Sequence, residues 1–558
     1  MSSYALGLDF GTNSCRALIV NLETGAEVAS YVYAYPSGEM GVLLDARDPN
    51  VARQNPADYC TGLSDSIRYG LAKAAQADAS FAPAKVVGIG VDTTGSTPIP
   101  VDYKGTPLVF LPEFADNLNA QAWLWKDHSA HAEAAEITAL AKKMRPQYLA
   151  KCGGTYSPEW FWAKVLHCKR ADPRVFEAAF SFVELCDWIP TVLAGIDDHQ
   201  TFKCSVCTAG HKAMYAPEWG GLPDKEFLNA LDPALAEMRD RLYATAYTAD
   251  VKAGELCADW AEVLGLPPGI PIAVGALDAH MGAVGAGCAD GTLAKILGTS
   301  TCDLLVAKND RALPDIPGVC GIVDGSVLPG YYGIEAGQSA VGDIFLWLTS
   351  NLVPETYGTG DEMFDKLAAL AAQLKPGATG LLALDWNNGN RCVLADVRLS
   401  GLLVGQTLHT KPHEIYRALV EATAFGARMI IDRVREHGVK VDEVIACGGL
   451  AVKSPFLMQV YADVLNMPMK VASSDQTCAL GAALFGAVVG GAFKTIEEAQ
   501  KLIRPPEHVY RPIAENVPVY EKLFALYVQL HDAFGTPSWN GNLANLMKDL
   551  IALREEMR

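Results

Sequence analysis

Apolar and β-branched runs separated by Gly and Asn open the chain and predict a β-meander: residues 4–8, a turn at 11–14, residues 15–20, a second turn at 21–25, then residues 26–33. A further strand-like run at 86–91 leads into the polar stretch from Asp92 to Thr97. Helical spacing dominates from 119 to 145 and again from 160 to 169, so the first half mixes sheet with helix. Near Ile272 the strand-and-glycine pattern restarts. An apolar run at 272–277 ends in Asp278, a Gly-rich stretch reaches Gly291, and the run at 293–297 leads into Gly298-Thr299-Ser300. Two strand–acid–glycine segments in one chain predict an internal duplication.

Downstream, a helical pattern from 414 to about 437 stops at Gly438, and a strand at 443–447 ends in Gly448-Gly449. Ser454 followed by Pro455 makes a helix start, because Ser can accept from an orphan N–H and Pro suits the first turn. That helix carries Phe456, Leu457, Val460, Tyr461, Val464 and Leu465 at helical spacing. The charged stretch from about 519 to 558 reads as one appended helix. No low-complexity linker separates the halves, and the boundary falls between Gly285 and Gly291. The expected units are 1–288, 289–510 and a helical extension at 511–558.

Composition narrows the function classes. A chain of 558 residues exceeds one compact core, so two large domains with a cleft between them are expected. The formal charge of −19 and the absence of any Lys/Arg block argue against nucleic acid and against an anionic membrane surface as partners. Any phosphate must therefore be held by local features. No charged n-region and apolar run begins the sequence, which predicts no secretion. The weakly polar stretch at 478–493 falls short of the ~20 apolar residues a bilayer crossing needs and reads as a buried helix. The 14 Cys are scattered, and the close pair Cys204 and Cys207 lacks a second pair or nearby His at zinc spacing, so reduced thiols in a cytoplasmic protein are expected.

Candidate chemistry follows the two acid-after-strand segments. In Gly7-Leu8-Asp9-Phe10-Gly11-Thr12-Asn13-Ser14, a tight hairpin offers amides and hydroxyls to phosphate oxygens without net positive charge. Its spacing is not that of a P-loop, and an ordinary hairpin with a turn Asp fits the same residues. Asp278 stands where the second segment's strand ends, as a base for an alcohol or as a helix cap. Leu297-Gly298-Thr299-Ser300-Thr301 and Cys447-Gly448-Gly449-Leu450 put small residues where backbone can approach a nucleotide. His128 and His131 have ligand spacing but no evident third ligand.

In this order and at these separations, the segments resemble the five-part ATP-binding pattern of the actin, heat-shock 70 and sugar kinase superfamily, from Gly7 to about Gly490. Longer stretches narrow the resemblance. Gly90-Val91-Asp92-Thr93-Thr94-Gly95-Ser96-Thr97, Leu124-Trp125-Lys126-Asp127-His128, Glu184-Leu185-Cys186-Asp187-Trp188 and Ala209-Gly210-His211-Lys212 are similar to ribulose-phosphorylating members of the FGGY carbohydrate kinase family. So are Asp278-Ala279-His280-Met281-Gly282 and Glu335-Ala336-Gly337-Gln338-Ser339. Tyr156-Ser157-Pro158-Glu159-Trp160-Phe161 departs from the Pro-x-x-Lys spacing of the broader family.

The resemblance implies an α/β fold of two ribonuclease H-like domains with an ATP cleft between them. It implies phosphorylation of L-ribulose to L-ribulose 5-phosphate in L-arabinose breakdown, with some tolerance for D-ribulose and related polyols. Xylulose or ribitol is the alternative acceptor, and a non-catalytic ATP-binding protein is the alternative class. By the resemblance Asp278 is the catalytic base and Asp9 lies near Mg2+. Gly11, Thr12, Asn13, Thr299, Gly342, Gly448 and Gly449 surround the nucleotide, and Ser96, Trp125, Lys212, Asp278 and Glu335 contact the sugar. A homodimer is expected from the base rate for soluble enzymes alone.

Overall fold

The meander forms as expected: Tyr4–Phe10, Ser14–Asn21 and Glu27–Ala34 pair antiparallel in sequence order, and Val86–Thr93 joins Tyr4–Phe10 in parallel. The protein is described from a computed structural model covering residues 3–506 and 508–557. Pro271–Ala273, Ala276–Leu277 and Lys252–Glu255 extend this first sheet beyond Val86–Thr93. The second sheet repeats the plan: Gly291–Leu297, Thr301–Lys308 and Tyr331–Ala336 run antiparallel, and Val441–Cys447 joins Gly291–Leu297 in parallel. Gly321–Asp324, Met469–Val471 and His508–Tyr510 complete it. This is the expected two-domain α/β architecture, but the strand that ends in Asp278, read as the start of the repeat, belongs to the first sheet, and the second sheet begins only at Gly291.

Helices cover the sheets where their apolar stripes allow. Pro56–Ala77 starts at an Asn55 cap whose side chain accepts from the Ala57 N–H at 3.0 Å, and it buries Tyr59, Leu63, Ile67 and Leu71. Residues 108–238 build a largely helical unit with its own core around Trp123, Ile137, Trp162 and Phe227. On the second sheet, Pro412–Glu436 packs beside Pro455–Leu465, which starts as its sequence predicts, with Ser454 Oγ accepting from the Leu457 N–H.

Two helices cross between the sheets: Asp278–Gly285 from the first half and Thr477–Val489 from the second. Their apolar residues share one core with Ala5, Leu18 and Val20 of the first sheet and Ala294, Leu304 and Val306 of the second. Glycines allow the contact. A Cβ at Gly7 would lie 1.8 Å from the Ala479 carbonyl oxygen, one at Gly90 1.8 Å from that of Ala482, and one at Gly481 1.9 Å from that of Met281. The stretch 478–493 is thus mostly a buried helix, laid by the second half of the chain onto the first half's sheet. Among the described residues no helix is long and apolar enough to cross a membrane.

Two helical expectations need correction. The pattern at 119–145 becomes a 3-10 turn, the short strand Ala122–Trp123 and a helix that begins only at His131. The Asp127 side chain accepts from Ser129 N at 3.1 Å, Ser129 Oγ at 2.5 Å and Ala52 N at 2.7 Å, bonds that compete with helical ones. The C-terminal stretch is two helices, Val517–Gly535 and Leu546–Met557, broken where Thr536 turns extended before Pro537. Nor is it a loose appendage: Tyr520, Leu523, Tyr527 and Leu530 lie in the core of the second sheet, and the Tyr527 hydroxyl donates to Asp385 at 3.0 Å.

Candidate active site

Three parallel strand ends deliver three acids to one place. Asp9 and Asp92 are register partners on Tyr4–Phe10 and Val86–Thr93, and Asp278 follows Ala276–Leu277, whose residues pair with Asp92 and Thr93. Asp9 is countered by Arg16, its register partner on the next strand, at 2.9 Å. Asp278 accepts from the Ala279 N–H at 2.7 Å and opens its helix. Asp92 is fully buried, and neither carboxyl oxygen has a hydrogen-bond donor. Burial, then the charges of Asp9 and Asp278, hold Asp92 well above the carboxylate range. Burial and the Asp9 charge push Asp278 from 3.8 up to about 7. An acidic cluster with one carboxyl lacking any donor, all of it hard oxygen, fits Mg2+.

The phosphate-loop candidates adjoin this cluster. Gly11 N donates to the Ser14 carbonyl at 2.9 Å to close the hairpin, and Asn13 donates to the Met40 carbonyl at 2.6 Å. Thr12 is held twice, its carbonyl by Gln54 at 2.7 Å and its hydroxyl by the Trp125 indole N–H at 3.0 Å. In the second half, Val341 N donates to the Thr299 carbonyl at 2.8 Å and Gly342 N to that of Gly298 at 3.1 Å. Gly448 adopts φ 93°, and a Cβ there would lie 2.4 Å from the Leu297 carbonyl oxygen. Gly449 has open space where its side chain would be. Thr299, Gly342 and Gly448 therefore gather at the C-terminal ends of Gly291–Leu297 and Val441–Cys447, two neighbouring central strands of the second sheet. The Cys478 thiol, at the start of the crossing helix, feels Asp9, Asp92, Asp278 and Cys447 together, which joins these strand ends to the carboxylates.

The residues assigned to the sugar form two linked groups. The Lys212 ammonium donates to both Glu335 oxygens at 3.1 Å in a buried pair, and its charge lies over the Trp160 ring. Burial works to raise the Glu335 pKa, but the Lys212 charge outweighs it and holds the carboxylate well below its usual range. Both Lys212 and Glu335 act on Asp278. The Ser96 hydroxyl donates to Glu184, which also accepts from Thr97 N at 2.7 Å. Lys164 holds the Ser96 and Leu124 carbonyls, each at 2.8 Å, and so fixes Ser96 beside Trp125; burial pushes its amine down to about 8.

Sequence reasoning gave no role to Asp92, Lys164, Glu184, His211 or His280. The signal for Asp92 was available, since it is a third acid at a strand end. Glu184 stands in one of the stretches that carry the resemblance, and Lys164 lies within the helical stretch 160–169. The other motifs resolve simply. All 14 Cys are free thiols. His128 meets Glu159 at 2.9 Å, and among the described residues it joins no metal-ligand cluster with His131.

Comparison with known proteins agrees with this plan. Residues 4–285 match the N-terminal domain model of the FGGY family of carbohydrate kinases, and residues 293–489 match its C-terminal domain model. A ribulokinase of Shouchella clausii is 42% identical, with 100% of this chain and 99% of the relative covered. A ribulokinase of Vibrio parahaemolyticus is 43% identical over 94% of this chain and 95% of its own. The fold is also that of a xylulose kinase from Rhodospirillum rubrum, with TM-score 0.77, 23% identity and 95% and 99% of the two chains covered. Plasmodium falciparum glycerol kinase with ADP gives TM-score 0.77 at 16% identity over 95% and 98% of the two chains. With both family domains matched in order and near-full-length relatives above 40% identity, the chain belongs to the FGGY family of carbohydrate kinases.

Proposed function

We propose that this carbohydrate kinase transfers the γ-phosphoryl group of ATP to the 5-hydroxyl of L-ribulose, giving L-ribulose 5-phosphate and ADP. The observation that carries the reading is Asp278, a carboxyl held near pH 7 among strand-end acids and electrostatically coupled to the Lys212–Glu335 pair. A base with a pKa near working pH combines a useful unprotonated fraction with enough basicity to accept a hydroxyl proton. The name ribulokinase, carried by the full-length relatives, supports a ribulose as the acceptor.

In this mechanism Asp278 accepts the proton as the hydroxyl oxygen attacks in line. Lys212 and Glu335 bind the sugar's other hydroxyls, and Trp125 and Ser96 line the same side. The hairpin amides at Thr12 and Asn13 face the phosphates, while Gly11, Thr299, Gly342, Gly448 and Gly449 let backbone approach the nucleotide. Asp9 and Asp92 are the residues that would hold Mg2+, which when bound neutralises charge between the phosphates. A homodimer is proposed from the base rate alone, and light scattering decides it.

The test is ADP release with L-ribulose, D-ribulose, D-xylulose, ribitol and glycerol as acceptors. L-Ribulose should give the highest kcat/KM. A higher value for D-xylulose or glycerol would transfer the assignment to that acceptor, and sugar-independent turnover would end the kinase reading.

A further inference from the structure

His280 lies on the first turn of Asp278–Gly285, is 1% exposed, and neither of its ring nitrogens has a hydrogen-bond partner. A neutral imidazole has one N–H to donate and one lone pair to fill, and leaving both unmet in an interior is costly. His211, at the end of Val206–Lys212, stacks at a tilt on His280 with ring centroids 4.6 Å apart. Its Nε2 lies 3.0 Å from Ser326 Oγ. The Ser326 hydroxyl donates its hydrogen to the Val323 carbonyl at 3.1 Å, so it accepts from His211. In that arrangement the His211 proton sits on Nε2 and Nδ1 is a bare lone pair, 3.4 Å from Glu335 Oε2 and without a hydrogen bond to it. His280 Nε2 lies 3.9 Å from the same oxygen.

Three kinds of occupant can answer these unmet atoms. A proton on either ring is opposed by burial, which pushes His280 down to about 4 and His211 well below its ordinary value. A divalent metal finds two imidazoles and a carboxylate whose ligand atoms lie within 4.8 Å of one another. Against it, the Lys212 ammonium already sits 3.1 Å from both oxygens of that carboxylate, and a metal ion would face this charge. A hydroxyl group meets every requirement, because it can donate to His211 Nδ1 or Glu335 while accepting from Lys212 or the His280 N–H.

We propose that His280 and His211 are sugar-recognition residues, which with Lys212 and Glu335 bind neighbouring hydroxyl groups of the acceptor and set which polyol is accepted. This rests on reading the site as that of a ketopentose kinase. With its proton on Nε2, His211 supplies an acceptor, and His280 supplies both a donor and an acceptor.

The experiment compares His280→Leu and His280→Gln with wild type. In His280→Leu the KM for the sugar should rise about tenfold, equivalent to about 1.4 kcal/mol, with the KM for ATP unchanged. The sugar-free protein should melt higher than wild type, because two unmet polar atoms are gone, and the stabilisation by saturating sugar should shrink. His280→Gln, with an amide near the Nε2 position, should recover part of the sugar affinity. A lower melting temperature with an unchanged sugar KM would make His280 a structural core residue and overturn the proposal. So would stoichiometric Zn2+ binding to wild type that His280→Leu abolishes and sugar does not displace. If wild type fails to turn over L-ribulose, the functional reading falls by itself. Loss in His280→Leu of the thermal stabilisation given by whichever polyol binds would still uphold the recognition role, and its retention would overturn it.

Discussion

Replacing Asp278 by Asn separates two effects that its carboxylate combines. The folded protein raises this group from 3.8 to about 7, so folding favours the protonated form. Between pH 4 and 7 the folded state therefore binds more protons than the unfolded one, and stability falls as pH rises through that window. The penalty is absent below about pH 4 and complete above about pH 7. At about 1.4 kcal/mol per tenfold change in the proton equilibrium, its ceiling is about 4 kcal/mol. Asp278 keeps partial contact with solvent, and about half of that ceiling is the expectation. Asn keeps the shape but carries no charge, so Asp278→Asn should melt roughly 2–4 °C above wild type at pH 8, with the gap closing toward pH 4. In the same variant kcat should fall about 10²–10⁴-fold, or about 3–5 kcal/mol, with a smaller change in sugar KM. Scanning calorimetry of the ligand-free protein at the two pH values and an ADP-release assay read the two arms. Near-normal kcat would refute the base assignment. A melting temperature at pH 8 equal to or below wild type would refute the account of burial and charge.

Lys212→Met leaves Glu335 buried and unpaired and should cost about 3 kcal/mol or more in urea denaturation. Adding Glu335→Leu should restore most of that stability and none of the sugar turnover. Asp92→Asn should weaken Mn2+ binding in the presence of ADP about tenfold, read by electron paramagnetic resonance, if its donor-free oxygens serve the cation. Gly90→Ala, whose Cβ would stand 1.8 Å from the Ala482 carbonyl oxygen, should lower stability by about 3 kcal/mol and cut soluble yield.

Much of the scaffold was legible because its signals are local. Gly and Asn punctuation marked the hairpins, and Ser454-Pro455 marked a helix start that the structure reproduces. The plan of two sheets could be read from the restarted strand-and-glycine pattern, but the acid taken to open the repeat, Asp278, ends a strand of the first sheet, and the second sheet opens at Gly291–Leu297 with no acid at that strand's end before Gly298. What sequence did not disclose depends on pairing between distant segments. Asp92 became significant only through its register with Asp9, and the unmet nitrogens of His280 only through what surrounds them. The helix read at 119–145 was overextended because Asp127 bonds back to its own neighbours and to Ala52, which periodicity does not register. The C-terminal helices looked detachable from their charge, yet Tyr520 and Tyr527 anchor them in the second core.

The crossing helix Thr477–Val489 also sets a schedule. It lies against Gly7, Gly88 and Gly90, so the first sheet, four of whose strands come from the first hundred residues, waits for nearly the whole chain before that face is covered. At about 5–20 residues per second, translation reaches this helix only after about 25–100 s. Throughout that interval the nascent first half carries an uncovered apolar face with small residues at its centre, open to chaperones and to neighbouring chains. Synonymous codon changes that slow ribosomes between 288 and 477 should lengthen this exposure and lower the yield of folded enzyme without altering a single residue.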